Sequence, residues 1–218
     1  VTIEYPLVVA APLAIEARAV RRGLPAGVVV RAGMRGRHAD RVIRALGDRD
    51  RAALAVAGVA GAVGPGPAPG DLVVATEIRS AAGTVPCPSA VALAEVLRGH
   101  GLTVHTGPVA SVDHVVHGAE RARLARTGAV AVDMESAALV AAAGGRPSAV
   151  VRAVVDTPRR PLLHPATLPG GVAALRSLAA LGPALLAWAR AVPDHDPAEP
   201  PNRTEVVSYT PSREVGTP

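Results

Sequence analysis

Apolar positions follow two alternating rhythms along the chain. Unbroken runs of Val, Ala and Leu at 5–11 (YPLVVAA), 27–32 (GVVVRA), 52–57 (AALAVA), 71–78, 129–132 and 149–155 (AVVRAVV) have the length of strands. Between them apolar residues recur three and four positions apart, the period of a helix with one buried face. Leu13, Ala17 and Val20 do so within 13–23, and Val42, Ile43 and Leu46 within 38–46. Further helices are predicted over 90–100, over 118–127, and from Ser136 to the stop at Gly144-Gly145. Short strands are expected at 102–104 and 107–112, and loops at 58–61, 64–70 (GPGPAPG) and 83–88. One long helix over 171–192 would close the domain. The 149–155 run is apolar on both faces, so it belongs in the middle of a sheet covered by helices. The alternation predicts an α/β fold: one domain over 1–192, three αβα layers, and a central, mainly parallel but mixed sheet. Residues 193–218 are Pro-rich and polar, with nothing to bury, and are expected to form a flexible tail.

Composition narrows the chemistry. The chain has no Phe, one Trp and two Tyr, so Val, Leu and Ala must fill its core. All 23 basic residues are Arg, which excludes both a Schiff-base lysine and a P-loop lysine. Net charge is +5, but the arginines are scattered and aromatics for base stacking are scarce, which argues against nucleic acid as a partner. The single Cys87 permits neither an internal disulfide nor a thiolate metal cage, and a cytoplasmic setting is expected. His114 and His117 lack both a helix-face spacing and a third ligand, so no metal is expected. No apolar run reaches the ~18–20 residues of a membrane span; 178–192 is interrupted by Gly182-Pro183.

The candidate chemistry gathers where strands end. Glu16 follows the first strand, Gly33 and Arg35 the second, Gly58 and Gly61 the third. Asp113, the Asp133/Glu135 pair and Asp156 close later ones. In a parallel sheet these ends share one edge, the edge at which ligands bind. Glu135 stands where a strand hands over to a helix N-terminus, a favourable place for a carboxylate. Read singly, each acid could equally be a helix cap or a solvated terminus, and Arg35 with Gly33 could hold a phosphate or face water.

Together the segments resemble the superfamily of purine nucleoside phosphorylases and methylthioadenosine/adenosylhomocysteine nucleosidases. VDMESA at 132–137 is similar to its most diagnostic motif, and RAVVD at 152–156 to the strand bearing its catalytic aspartate. APLAIEA at 11–17 resembles its first loop, GVAG at 58–61 the turn beside the sugar, and GDLVVATEI at 70–78 the strand that follows. TVPCPS at 84–89 and GPVASVDHVV at 107–116 look closest to the hopanoid-associated branch, which removes adenine from adenosylhopane.

The resemblance implies a phosphorylase/hydrolase-like fold and an enzyme that releases adenine from a 5′-modified 5′-deoxyadenosine without a cofactor. It implies that Glu135 accepts hydrogen bonds from the ribose hydroxyls with Met134 beneath the sugar, and that Asp156 donates to purine N7. Glu16 would lie near the sugar and, in a hydrolase, activate water. Asp133, Gly58, Val59 and Arg152 would line the substrate, and Val115 and Val116 would pack on the base. It also implies a homo-oligomer, a dimer first. Phosphorolysis is expected, with hydrolysis the alternative inside the class and a non-catalytic nucleoside-binding module the alternative outside it. Two departures stand out. The family's aromatic near the base is replaced by Val115 or Val116, and the serine before its aspartate by Val155.

The chemistry explains the residue types. Breaking an N-glycosidic bond builds positive charge on the ribose and negative charge on the purine. A carboxylate under the sugar stabilises the first, and a hydrogen-bond donor at N7 relieves the second.

Overall fold

Ten residues of small apolar side chains, Ala53–Ala62, form the strand on which the sheet is assembled. In a computed structural model describing residues 6–49, 52–160 and 168–192, this strand is the third of eight. The others are β1 (Leu7–Ala11), β2 (Val29–Arg31), β4 (Leu72–Ser80), β5 (Gly83–Pro86), β6 (Val104–Ser111), β7 (Ala131–Asp133) and β8 (Ser148–Asp156). Seven α-helices lie between and after them: α1 (Ala14–Val20), α2 (Ala39–Gly47), α3 (Ala90–Gly99), α4 (Gly118–Arg126), α5 (Ser136–Ala141), α6 (Leu168–Ala179) and α7 (Gly182–Ala191).

β3 is long enough to serve three neighbours. β1 and then β7 use different stretches of one edge, and β8 runs parallel along the other from Leu54 to Gly61. β8 also pairs antiparallel with β4, β4 parallel with β6, and β6 parallel with β7. The circuit β3-β8-β4-β6-β7 therefore closes on itself, with β1 and β2 extending from β3 and β5 from β4. The sheet is mixed and mainly parallel, as expected, but β4, β6 and β7 run against β1, β2, β3 and β8. Strand polarity alone does not gather the candidate residues. Closure of the circuit does, by laying the short β7 across the end of β3, with Val132 opposite Gly61.

Helices cover both faces. α1, α3, α6 and α7 bury Ala17, Leu93, Leu97, Leu178, Leu185 and Trp188 against one face. α2 and α5 bury Val42, Leu46, Leu139 and Val140 against the other. Full burial of such a side chain is worth roughly 1.5–3 kcal/mol, so many modest side chains replace the absent phenylalanines.

Four local expectations are corrected. Residues 58–61 are not a turn but the interior of β3, and 83–88 contains an edge strand, β5, paired with β4. The segments at 102–104 and 107–112 form one strand, β6, whose register with β4 jumps at Pro108, a residue with no N–H to offer the ladder. The closing helix is two helices bent by 44°, because Pro183 belongs to the first turn of α7. Gly182 is obligatory there, since a Cβ would strike the backbone of Gly23. Among the described residues no single helix is long and apolar enough to cross a membrane. The expected tail, 193–218, lies outside the described residues.

Candidate active site

Two buried arginines reach β3, each where the strand has a glycine. The first is Arg152 on β8, in register with Gly58 and fully buried. Its Nε lies 2.7 Å from Asp133 Oδ2, and Nε and Nη2 donate to Ser136 Oγ at 3.1 and 2.8 Å. Ser136 Oγ in turn donates to Asp133, whose Oδ1 accepts the backbone N–H groups of Glu135 (3.2 Å) and Ser136 (3.1 Å). The corner between β7 and α5 is thus tied together by Asp133, Ser136 and Arg152, and the half-buried Met134 and Glu135 stand on it. Asp133 is therefore the anchor of the corner and is almost fully covered, not a group lining a ligand. A Cβ at position 58 would collide with Arg152 Nη1, which has no hydrogen-bond partner.

Glu16 closes on the same place. It is 2% exposed; Oε1 accepts the N–H of Val59 at 2.8 Å and Oε2 that of Leu13 at 2.6 Å. Burial raises its pKa above the ordinary carboxylate value against the lowering pull of those amides and of Arg152, and nearby Glu135 raises it further. Glu135 Oε1 also accepts a long, 3.4 Å hydrogen bond from the backbone N–H of Arg35. Arg35 holds a left-handed conformation (φ 53°), and Gly33 beside it has φ 72°. Such strain in a non-glycine residue is common at ligand sites. Glu16, Gly58, Val59, Arg152, Glu135 and the 33–35 loop therefore share one end of the site.

Asp156 occupies the other end. It is in register with Gly61, three residues of strand beyond Gly58, about 10 Å along β3. The second buried arginine, Arg121 of α4, donates from Nη2 to Asp156 Oδ2 at 2.7 Å, and the two side chains are only 6% and 7% exposed. A Cβ at position 61 would collide with Arg121 Nη2 and stand 2.7 Å from Asp156 Oδ1. The orienting hydrogen bond that a serine at position 155 would supply is thus provided by an arginine from another element. A cavity of about 1200 Å³ adjoins this end, lined by Arg121, His117, Val63, Pro69 and Thr157 among others; Glu16, Glu135 and Asp156 itself do not line it.

Val116 is buried beside Val63 and Val132 close to this end, whereas Val115 is 49% exposed and does not join the packing. Asp113 is exposed on the surface and hydrogen-bonded to His114, which also meets Glu120. Cys87 is buried and its thiol is pushed up to about 11, chiefly by burial, so it is no nucleophile at neutral pH. Among the described residues no cluster of His, Cys, Asp or Glu could hold a metal ion.

Arg121 and Ser136 are not singled out by spacing. Arg121 sits in a charged helix that reads as solvated, yet it shares a face with Gly118, Leu124 and Ala125 at offsets of three and four. That apolar neighbourhood was the available signal.

Glu16 and Asp156 thus meet the C-terminal half of one glycine-bearing strand, at Val59 and Gly61. The sequence model of the phosphorylase superfamily matches residues 25–181, and the chain belongs to that superfamily. No curated protein matches it in sequence. Solved structures share its fold at low identity. The Streptococcus pyogenes S-adenosylhomocysteine nucleosidase has a TM-score of 0.67 at 21% identity, over 88% of this chain and 99% of that one. The Campylobacter jejuni 5′-methylthioadenosine/S-adenosyl homocysteine nucleosidase has 0.69 at 16%, over 87% and 100%. The Helicobacter pylori futalosine hydrolase has 0.66 at 18%, over 85% and 97%.

Proposed function

We propose that this protein cleaves the N-glycosidic bond of an adenine nucleoside carrying a modified 5′ position. The observation that carries this reading is that Glu16 and Asp156, 140 residues apart in sequence, meet β3 at Val59 and Gly61, with Glu135 close enough to Glu16 to raise its pKa. In this reading Glu16 and Glu135 serve the sugar and Asp156 the base. Superfamily membership and the nucleosidase and hydrolase neighbours support it.

In this reading the ribose lies against Glu135, whose carboxylate accepts its hydroxyls and faces the positive charge that develops as the C1′–N9 bond stretches. The Arg152–Asp133–Ser136 network does not touch substrate; it fixes the corner that aims Glu135. Glu16, held by two amides, takes a proton from the incoming nucleophile. Charge favours water in that role. Among the described residues the two buried arginines are already neutralised, Arg152 by Asp133 and Arg121 by Asp156, so a phosphate dianion would meet Glu16 and Glu135 without an unpaired buried cation. Phosphorolysis is the second reading, supported by Arg35 and Gly33 beside Glu135, where a phosphate could take backbone and guanidinium donors.

The test is release of free adenine from a panel of 5′-substituted adenosines, with and without inorganic phosphate. Release without phosphate is expected. Strict dependence on phosphate, with a ribose 1-phosphate product, selects the second reading, and no release from any member overturns both.

A further inference from the structure

The Arg121–Asp156 pair alters how the base can leave. An aspartate in an ion pair is an acceptor only, whereas donation to purine N7 needs an N–H or O–H. Its partner has donors to spare. Arg121 Nε is buried, has no hydrogen-bond partner, and belongs to a side chain that lines the 1200 Å³ cavity. A buried donor left unsatisfied costs about 1–3 kcal/mol, a cost that an acceptor brought by a ligand would remove. The purine edge that meets this pair must offer an acceptor to Arg121 and a donor to Asp156. Adenine offers both side by side, N7 as acceptor and the 6-amino group as donor. A 6-oxopurine would instead set its O6 against the carboxylate.

Resting on the proposed adenine nucleoside cleavage, we infer that Arg121, not Asp156, is the group that hydrogen-bonds purine N7, while Asp156 orients it and accepts from the 6-amino group. The step balances without a proton from the protein. The nucleophile attacks C1′, the C1′–N9 bond breaks, and its electron pair passes into the purine ring. Arg121 stabilises that charge through N7 but keeps its proton, since a guanidinium is not deprotonated in proteins. The departing base then takes its proton from water. In hydrolysis the attacking water gives up its own proton through Glu16, so the net reaction consumes one water.

The whole chain with an adenosine substrate tests this, because the two assignments predict different responses of Arg121 variants to loss of N7 from the substrate. If Arg121 is the N7 donor, Arg121→Gln lowers kcat/KM by 10²-fold or more, the loss typical of removing one such donor. If Asp156 were the acid, the same change would remove only the hydrogen bond that orients it, and the variant would keep the wild-type sensitivity to N7. The paired measurement uses the 7-deaza analogue, which lacks the N7 acceptor: the wild type loses heavily on it, while Arg121→Gln loses little more than it already has. Arg121→Lys, which keeps the charge and one donor, guards against a folding failure of the Gln variant and should fall between the two. It should also narrow the gap between the normal and 7-deaza substrates. Arg121 variants as active as the wild type, or an unchanged 7-deaza gap, overturn the inference alone. A wild type that releases no adenine removes the parent reading and the inference with it.

Discussion

The two buried arginine–aspartate pairs meet the same strand and are built for different work. Arg152–Asp133 is fully enclosed, its acid saturated by a hydroxyl and two amides. Arg121–Asp156 rests on one hydrogen bond, and Arg121 lines a large cavity; each arginine keeps one buried nitrogen without a partner. A closed pair holds a corner in place, whereas an open one keeps hydrogen-bonding capacity in reserve for a ligand. In both, a glycine of β3 makes room, so the GVAG segment is better understood as two notches for guanidinium groups than as a flexible turn.

Breaking the closed pair should produce the largest effect. Asp133→Ala leaves Arg152 charged, buried and without its carboxylate, a situation that costs about 3–5 kcal/mol. That is a large share of a domain's total stability, so chemical denaturation should show a chain that is unfolded or nearly so. Arg121→Gln should cost less, about 1–2 kcal/mol, because Arg121 lines the cavity and the space its guanidinium vacates opens a path for water toward Asp156. Equal losses at the two sites would mean that the distinction drawn from their surroundings is wrong.

The notches sharpen the contrast next. Gly58→Ala drives a methyl group into Arg152 Nη1, which is locked by its neighbours, and also stands 3.1 Å from Glu16 Oε1. Overpacking of this kind costs about 1–3 kcal/mol. Gly61→Ala meets Arg121 Nη2, whose side chain can yield toward the cavity, so thermal melting should move less. Its effect should fall on turnover, through the displaced Arg121 and Asp156. Gly61→Ala melting earlier than Gly58→Ala would reverse the assignment of rigid and yielding ends.

Much of this architecture is legible in the chain, and the failures share one cause. The apolar runs at 5–11 and 149–155 name β1 and β8 because a strand buried on both faces needs nothing beyond local composition. Glu16, Glu135 and Asp156 are visible because each follows or ends a strand. Gly58 and Gly61 mislead, since glycine locally signals a turn, and only the arrival of arginines from β8 and α4 explains why β3 runs through them. Arg121 is hidden for the same reason: its partner lies 35 residues away, and charge in an exposed-looking helix reads as solvation. The expected gap at 105–106 is closed by pairing with β4, and the register jump at Pro108 absorbs that residue's missing donor.

The smallest effect concerns Glu16, the acid at the closed end. Its folded-state pKa is raised, chiefly by burial and then by Glu135, although two amides and Arg152 pull it down. A raised carboxyl pKa means that folding favours the protonated form. The corresponding stabilisation is present below the ordinary carboxylate range and is lost as pH rises through the folded value. The stability difference between wild type and Glu16→Gln, followed by denaturation across pH, should therefore shift against the wild type over that interval. A base must be ionised to act, so kcat/KM should climb over the same interval, about tenfold per pH unit below the folded pKa. One titration would then govern two observables with opposite signs, stability falling as activity rises. If activity climbs at a pH where the stability difference stays flat, the titrating base is not Glu16. The nucleophile would then have to be activated by another group near the sugar, with Glu135 the first to test.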